Sequence, residues 1–140
     1  MSGVYSRNKN ETNFEPVDNA AKLQDELTKY IMNERRVPKR WRPIALKMLD
    51  KVDEISDLAI AANETWPDEK HIEKRKDYWR DCLRACKQLD RKLTRLKNCV
   101  PSVTPESLKD ILRMLNKEIG VVSYHKDNDR VIKRGDKKKQ

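Results

Sequence analysis

The sequence predicts an all-α protein, an antiparallel four-helix bundle, and three observations carry that expectation. Apolar residues recur at alternating three- and four-residue spacing in four separate stretches, the period of helices that bury one face. Breaks marked by proline and asparagine separate those stretches. The composition is 36% apolar and 39% charged, with three glycines and one phenylalanine, which suits narrow apolar stripes on long helices and excludes a broad parallel sheet. A chain of 140 residues makes one domain with a single modest core.

Residues 1–17 are polar and aperiodic and read as a flexible N-terminal arm, residues 18–124 as the bundle, and residues 125–140 as a basic C-terminal tail. The first helix is expected to start after Asp18 or Asn19, either of which can cap it. Ala20, Leu23, Leu27, Tyr30 and Ile31 form its apolar face. It should stop near Arg36, because Pro38 disfavours a helical Val37. Trp41-Arg42-Pro43 opens the second helix, with proline tolerated in its first turn. Its seam is read as Trp41, Ile44, Met48, Val52, Ile55, Ala59 and Ala62, supported by Ala45, Leu49 and Leu58. Asn63 to Pro67 ends it.

The third helix, about 68–97, repeats Ile72, Arg75, Trp79, Cys82, Cys86, Leu89, Leu93 and Leu96 in an unbroken three-four alternation, with Arg75 the one polar member. Thr104-Pro105-Glu106 starts the fourth helix with a hydroxyl cap, a proline at the first helical position and an acid near the positive dipole end. Leu108, Ile111, Leu112, Leu115, Ile119 and Val122 form its seam, Gly120 falls close to its end, and the tail begins beyond Tyr124. A fourth helix several turns shorter than the third would leave apolar surface for an oligomer interface to cover.

The net charge of +9 is unevenly placed. Residues 33–47 hold six cations against Glu34, and residues 125–140 hold seven against three aspartates, so these windows carry +5 and +4 and the rest of the chain balances. Phosphate backbones are the common partners of such concentrated charge. On the third helix Lys76, Arg80, Arg84, Lys87, Arg91 and Arg95 fall within an arc of roughly 100°, well away from the apolar seam. The plain reading is a solvated face with pairs such as Asp77 with Arg80. Lys87, Arg91 and Arg95, however, stand four apart as like charges, each pair costing a few tenths of a kcal/mol, and an anionic partner accounts for that repetition. The candidate nucleic-acid-binding residues are these six together with Arg35, Arg36, Lys39, Arg40 and Arg42 at the end of the first helix and the turn after it. Trp41, among them, could stack on a base, although the core seam of the second helix claims it more simply.

Catalysis finds little support. There is no glycine-rich phosphate loop, no serine in a nucleophile turn and no histidine pair at metal spacing, and the acidic pairs Glu73-Asp77 and Asp50-Glu54 sit on presumptive solvent faces. Cys82 and Cys86 lie on an apolar seam and read as small buried hydrophobes, while His71 and His125 complete no zinc spacing with them or Cys99. The expectation is a non-enzyme without metal or cofactor. With no run of about 18 apolar residues and no export signal, the chain is expected to be soluble and cytoplasmic.

The order of features adds a resemblance. A basic turn leads into VPKRWRPIALKMLDKVDEISDLAIAANE, and a long charged helix with YWRDCLRACKQLDRKLTRL follows. Pro38, Lys39, Trp41 and the small-residue stretch 59–64 make residues 20–124 resemble the four-helix-bundle family of diversity-generating retroelement accessory variability determinants and ribosomal-RNA intervening-sequence proteins. The resemblance, closer to the retroelement branch, implies a homopentameric basic barrel that binds the retroelement's reverse transcriptase and its template RNA or RNA–DNA. It implies a non-catalytic role in error-prone, adenine-directed cDNA synthesis. A bundle of the ribosomal intervening-sequence type and a protein-binding helical adaptor are the alternatives.

Overall fold

The computed structural model describes residues 4–132, with side chains from Glu15 onward. Four helices account for it: α1 (Val4–Met32), α2 (Arg42–Glu64), α3 (Ile72–Cys99) and α4 (Pro105–Asn128), with one 3₁₀ turn, Lys39–Trp41, ahead of α2. Among the described residues there is no strand. Each helix packs on its neighbours in sequence, α1 closes the ring on α4, and the most extensive packing joins α2 to α3. This is a four-helix bundle, the arrangement that short connections between amphipathic helices favour.

The α3 seam is the spine of the core. Trp79, Cys82, Cys86, Leu89, Leu93 and Leu96 are all buried, opposite Leu23, Leu27 and Ile31 of α1 and Val52, Ile55 and Ala59 of α2. Burying each such aliphatic side chain is worth about 1.5–3 kcal/mol. Cys82 and Cys86 behave as small apolar residues: both are buried and free, and the Cys82 thiol reaches the Ile55 carbonyl at 3.5 Å. Their mutual hydrogen bond and burial push the Cys82 thiol's pKa up, away from a reactive thiolate.

Arg75, the polar member of the seam, sits at its edge with its charge fully used. Its Nε meets Asp129 Oδ2 at 2.7 Å, and Nη1 donates to the carbonyls of Ala62 and Thr65 at 2.9 Å. Asp129 also accepts from Trp79 Nε1 at 2.6 Å, and the His125 ring stacks on Trp79 with centroids 5.2 Å apart. Ile132 N then donates to Pro67 O at 2.8 Å. Residues 125–132 are therefore part of the folded body, whereas the sequence reading places them in the tail. Five of the tail's cations, Lys133, Arg134, Lys137, Lys138 and Lys139, lie outside the described residues.

Several boundaries differ from the sequence expectation. α1 begins at Val4, inside the segment read as an arm, and continues through Pro16, which is buried. Val17, packed on the core, extends the apolar face N-terminally. It ends at Met32, before Arg36, because Asn33 Oδ1 accepts from Arg35 N at 3.0 Å and the backbone turns there to bury Val37. Asp68 likewise bonds His71 N, so α3 starts at Ile72. α4 runs to Asn128, with Gly120 inside it. At 24 residues against 28 for α3, it is about one turn shorter. The mismatch that suggested an interface is thus small, and the chain after α4 returns over that end.

The N-terminus of α4 forms as expected. Thr104 Oγ1 accepts from Ser107 N and Ser107 Oγ from Thr104 N, both at 3.1 Å, a reciprocal box with serine in the usual acidic position. Two core assignments change. Ile44 is 51% exposed, and Ala45 takes its place inside. On α4 the buried line is Leu108, Ile111, Leu115, Glu118 and Val122, with Leu112 and Ile119 only half-buried. Glu118 is fully buried, and neither of its oxygens has a hydrogen-bond partner.

Candidate nucleic-acid interface

The bundle's connectivity decides which basic segments meet. Tyr30 near the end of α1 shares a 2.6 Å hydrogen bond with Ser107 at the start of α4, and Ser102 Oγ donates to Arg36 O at 2.6 Å. Trp41, Ile44, Lys47 and Met48 face Lys92, Arg95, Leu96 and Cys99 across one cavity, so the start of α2 lies beside the end of α3. Arg35, Arg36, Lys39, Arg40 and Arg42 therefore share one end of the bundle with Arg91 and Arg95. Lys76 and Arg80 sit toward the other end, roughly 20–30 Å away along α3.

Local ion pairs split the α3 stripe in the same place. Arg80 pairs with Asp77 and lies 3.9 Å from Glu73, and Arg84 pairs with Asp81 at 3.2 Å. These are three-apart pairs of the kind a solvated face carries, the Asp77–Arg80 pair among them. Lys76 is half-buried. Lys87, Arg91 and Arg95 are exposed and have no ion pair among the described residues. Around the basic turn Lys39 is paired, at 3.8 Å from Glu34, while Arg35, Arg36 and Arg40 are exposed and have no ion pair among the described residues. Arg42 is half-buried with its Nε lacking a partner. Along the α3 stripe, the cations without a described ion pair thus lie toward the end where α2 begins and α3 finishes, and those toward the other end are partly neutralised.

Two adjoining depressions mark this end of the α2–α3 face. An open trough of about 600 Å³ is lined by Lys51, Gln88, Arg91, Lys92 and Arg95. The cavity described above, about 440 Å³, shares Lys92 and Arg95 with it and has a largely apolar floor. No acidic residue lines either one. Lys51, Lys92 and Lys47 are functional candidates absent from the sequence-derived set. The four-residue step from Lys47 to Lys51 was a signal for the first and last. Lys92 escaped because it lies off the stripe's arc and shows itself only against α2. Lys51 is held by Gln88 Oε1 and Glu54 Oε1, both at 2.7 Å, which fixes its ammonium over the trough's edge.

Trp41 belongs to the 3₁₀ turn and packs partly on the core, while also walling the smaller cavity. The core reading of it therefore holds in part, and the rest of the ring is left on the cavity. Its indole N–H has no hydrogen-bond partner. Among the described residues no group of three or more histidine, cysteine, aspartate or glutamate side chains comes together as a metal site. No described helix is long and apolar enough to cross a membrane. No protein-family model, curated protein or solved structure matches the chain.

Proposed function

We propose that this chain is a non-catalytic accessory subunit of a diversity-generating retroelement. It acts in the cytoplasm as a homo-oligomer, a pentamer by its family resemblance, and binds the reverse transcriptase and its template RNA or cDNA through basic surfaces. The observation that carries the nucleic-acid part is the set of cations with no ion pair among the described residues, Arg35, Arg36, Arg40, Lys87, Arg91 and Arg95, from the middle of α3 to one end of the bundle. Crowded like charges destabilise a fold on their own account, and a polyanion relieves them. The retroelement assignment rests on the resemblance of residues 20–124, and the polymerase supplies the chemistry.

The test is RNA binding titrated against salt. If six to ten phosphates are contacted, affinity falls by about 10³–10⁵ between 50 and 200 mM salt, and a flat response sinks the mechanism. Arg91→Glu with Arg95→Glu should abolish most binding with helicity unchanged. Arg80→Glu with Arg84→Glu, which removes cations already paired, should cost much less. Equal losses from the two doubles would deny the polarity of the surface. Co-purification with a reverse transcriptase encoded beside a template repeat and a variable repeat tests the partner.

A further inference from the structure

We propose that the cavity between the start of α2 and the end of α3 is a slot for one unstacked nucleobase, so that the site prefers single-stranded over duplex RNA. This rests on the nucleic-acid reading above and specifies its ligand. The trough and the cavity share Lys92 and Arg95 in their walls, yet they differ in chemistry. Cations line the trough and suit a phosphate backbone. The cavity offers an aromatic wall, Trp41, and an aliphatic floor of Ile44, Met48 and Leu96, rimmed by Lys47, Lys92 and Arg95. Charge complementarity calls for an anionic occupant, and the apolar floor calls for one carrying a flat, weakly hydrated group beside its charge. A nucleotide turned out of a single strand meets both demands: its base enters the slot while its flanking phosphates remain on the rim and trough.

Two details fit this occupant. At about 440 Å³ the cavity falls in the range that encloses small ligands, large enough for either a purine or a pyrimidine. The Trp41 indole N–H is tied to no acceptor, so only packing sets the ring's angle and a tilt toward an incoming base breaks no hydrogen bond. A duplex keeps its bases stacked and paired and can reach only the cationic trough.

Cys99 provides a readout, because it lines the cavity and is exposed while Cys82 and Cys86 are buried. Alkylation of the full-length protein should therefore report on Cys99. A saturating oligoadenylate single strand should slow that alkylation about tenfold, and a saturating RNA duplex of equal phosphate count should leave it nearly unchanged. Ile44→Ser, at an exposed position, should weaken oligoadenylate binding several-fold and leave duplex affinity as it was. Protection by both RNAs alike, by neither at saturation, or by an acidic peptide in place of oligoadenylate overturns the slot, as does an equal loss of both affinities in Ile44→Ser. Failure of both RNAs to bind in low salt instead removes the nucleic-acid reading itself.

Discussion

Glu118 is a fully buried carboxyl whose placement costs the fold stability. Burial is the main cause pushing its pKa up to about 9, helped by Cys86 on α3 and Glu15 on α1, while the Asn19 amide on α1 pulls weakly the other way. Its carboxyl is therefore protonated in the native protein at neutral pH, whereas the unfolded chain ionises near the ordinary 4.5. Between those values the native state holds one more proton, so stability falls as pH rises. By pH 7 the loss amounts to roughly 3 kcal/mol relative to acid conditions. His125 shifts the opposite way: burial is the largest cause lowering its pKa, so its contribution is complete above the free-histidine value of 6.5 and fades only below it. Denaturation between pH 6.8 and 8 thus isolates Glu118. The wild-type stability should fall by about 1.4 kcal/mol per pH unit there, and Glu118→Gln should flatten that slope. A wild-type profile already flat across this range would mean that the carboxyl finds a partner or water.

At the level of elements, the segment after α4 acts as a latch on the α2–α3 connection, and Asp129 is its pin. Asp129 is half-enclosed between Arg75 and Trp79, and both of its partners lose their acceptor when it is removed. Asp129→Ala should cost about 3 kcal/mol in urea denaturation, as expected when one member of a sequestered ion pair is deleted. Asp129→Asn, which keeps an acceptor for the Trp79 indole, should recover part of that. Equal, small effects from both would reduce the latch to a surface contact. The pairing also marks the limit of what the sequence conveys. The α3 seam and the Thr104 cap were legible because their partners lie within one turn. Arg75 looked like an unexplained exception because Asp129 stands 54 residues away. Glu118 was hidden differently: it continues the three-four line from Leu108 to Val122, but its charge argued for the neighbouring Ile119 instead. For Ile44 and Ala45 the spacing to Met48 allows either as the inward residue, and only the packed α3 decides. Of the candidate site, the cations themselves were legible, but not which ones are paired or that Lys51 and Lys92 join them across the groove.

Across the molecule, the described residues carry a run of crowded cations on one face, and that run separates stability from binding. Lys87, Arg91 and Arg95 repel one another along one helix, where Asp90 is the one nearby carboxylate and forms no ion pair with them among the described residues, and Lys92 adds to the crowding. A surface kept for packing would not retain such a run, whereas a surface kept for a polyanion would retain it at some expense in stability. Neutralising part of it should then move the two properties in opposite directions. Arg91→Gln with Arg95→Gln should raise the melting temperature slightly at low ionic strength, by the few tenths of a kcal/mol that each relieved like-charge pair returns, while weakening RNA binding by more than tenfold. The stability gain should vanish near 0.5 M salt, where the repulsion is screened over a few ångströms. Heparin or sulfate should stabilise the unmodified protein more than this variant, since an anion bound only to the folded state raises its stability by mass action. If the double variant instead melts earlier at low salt, the two arginines serve the fold, and the cationic end of the bundle has to be explained by packing alone.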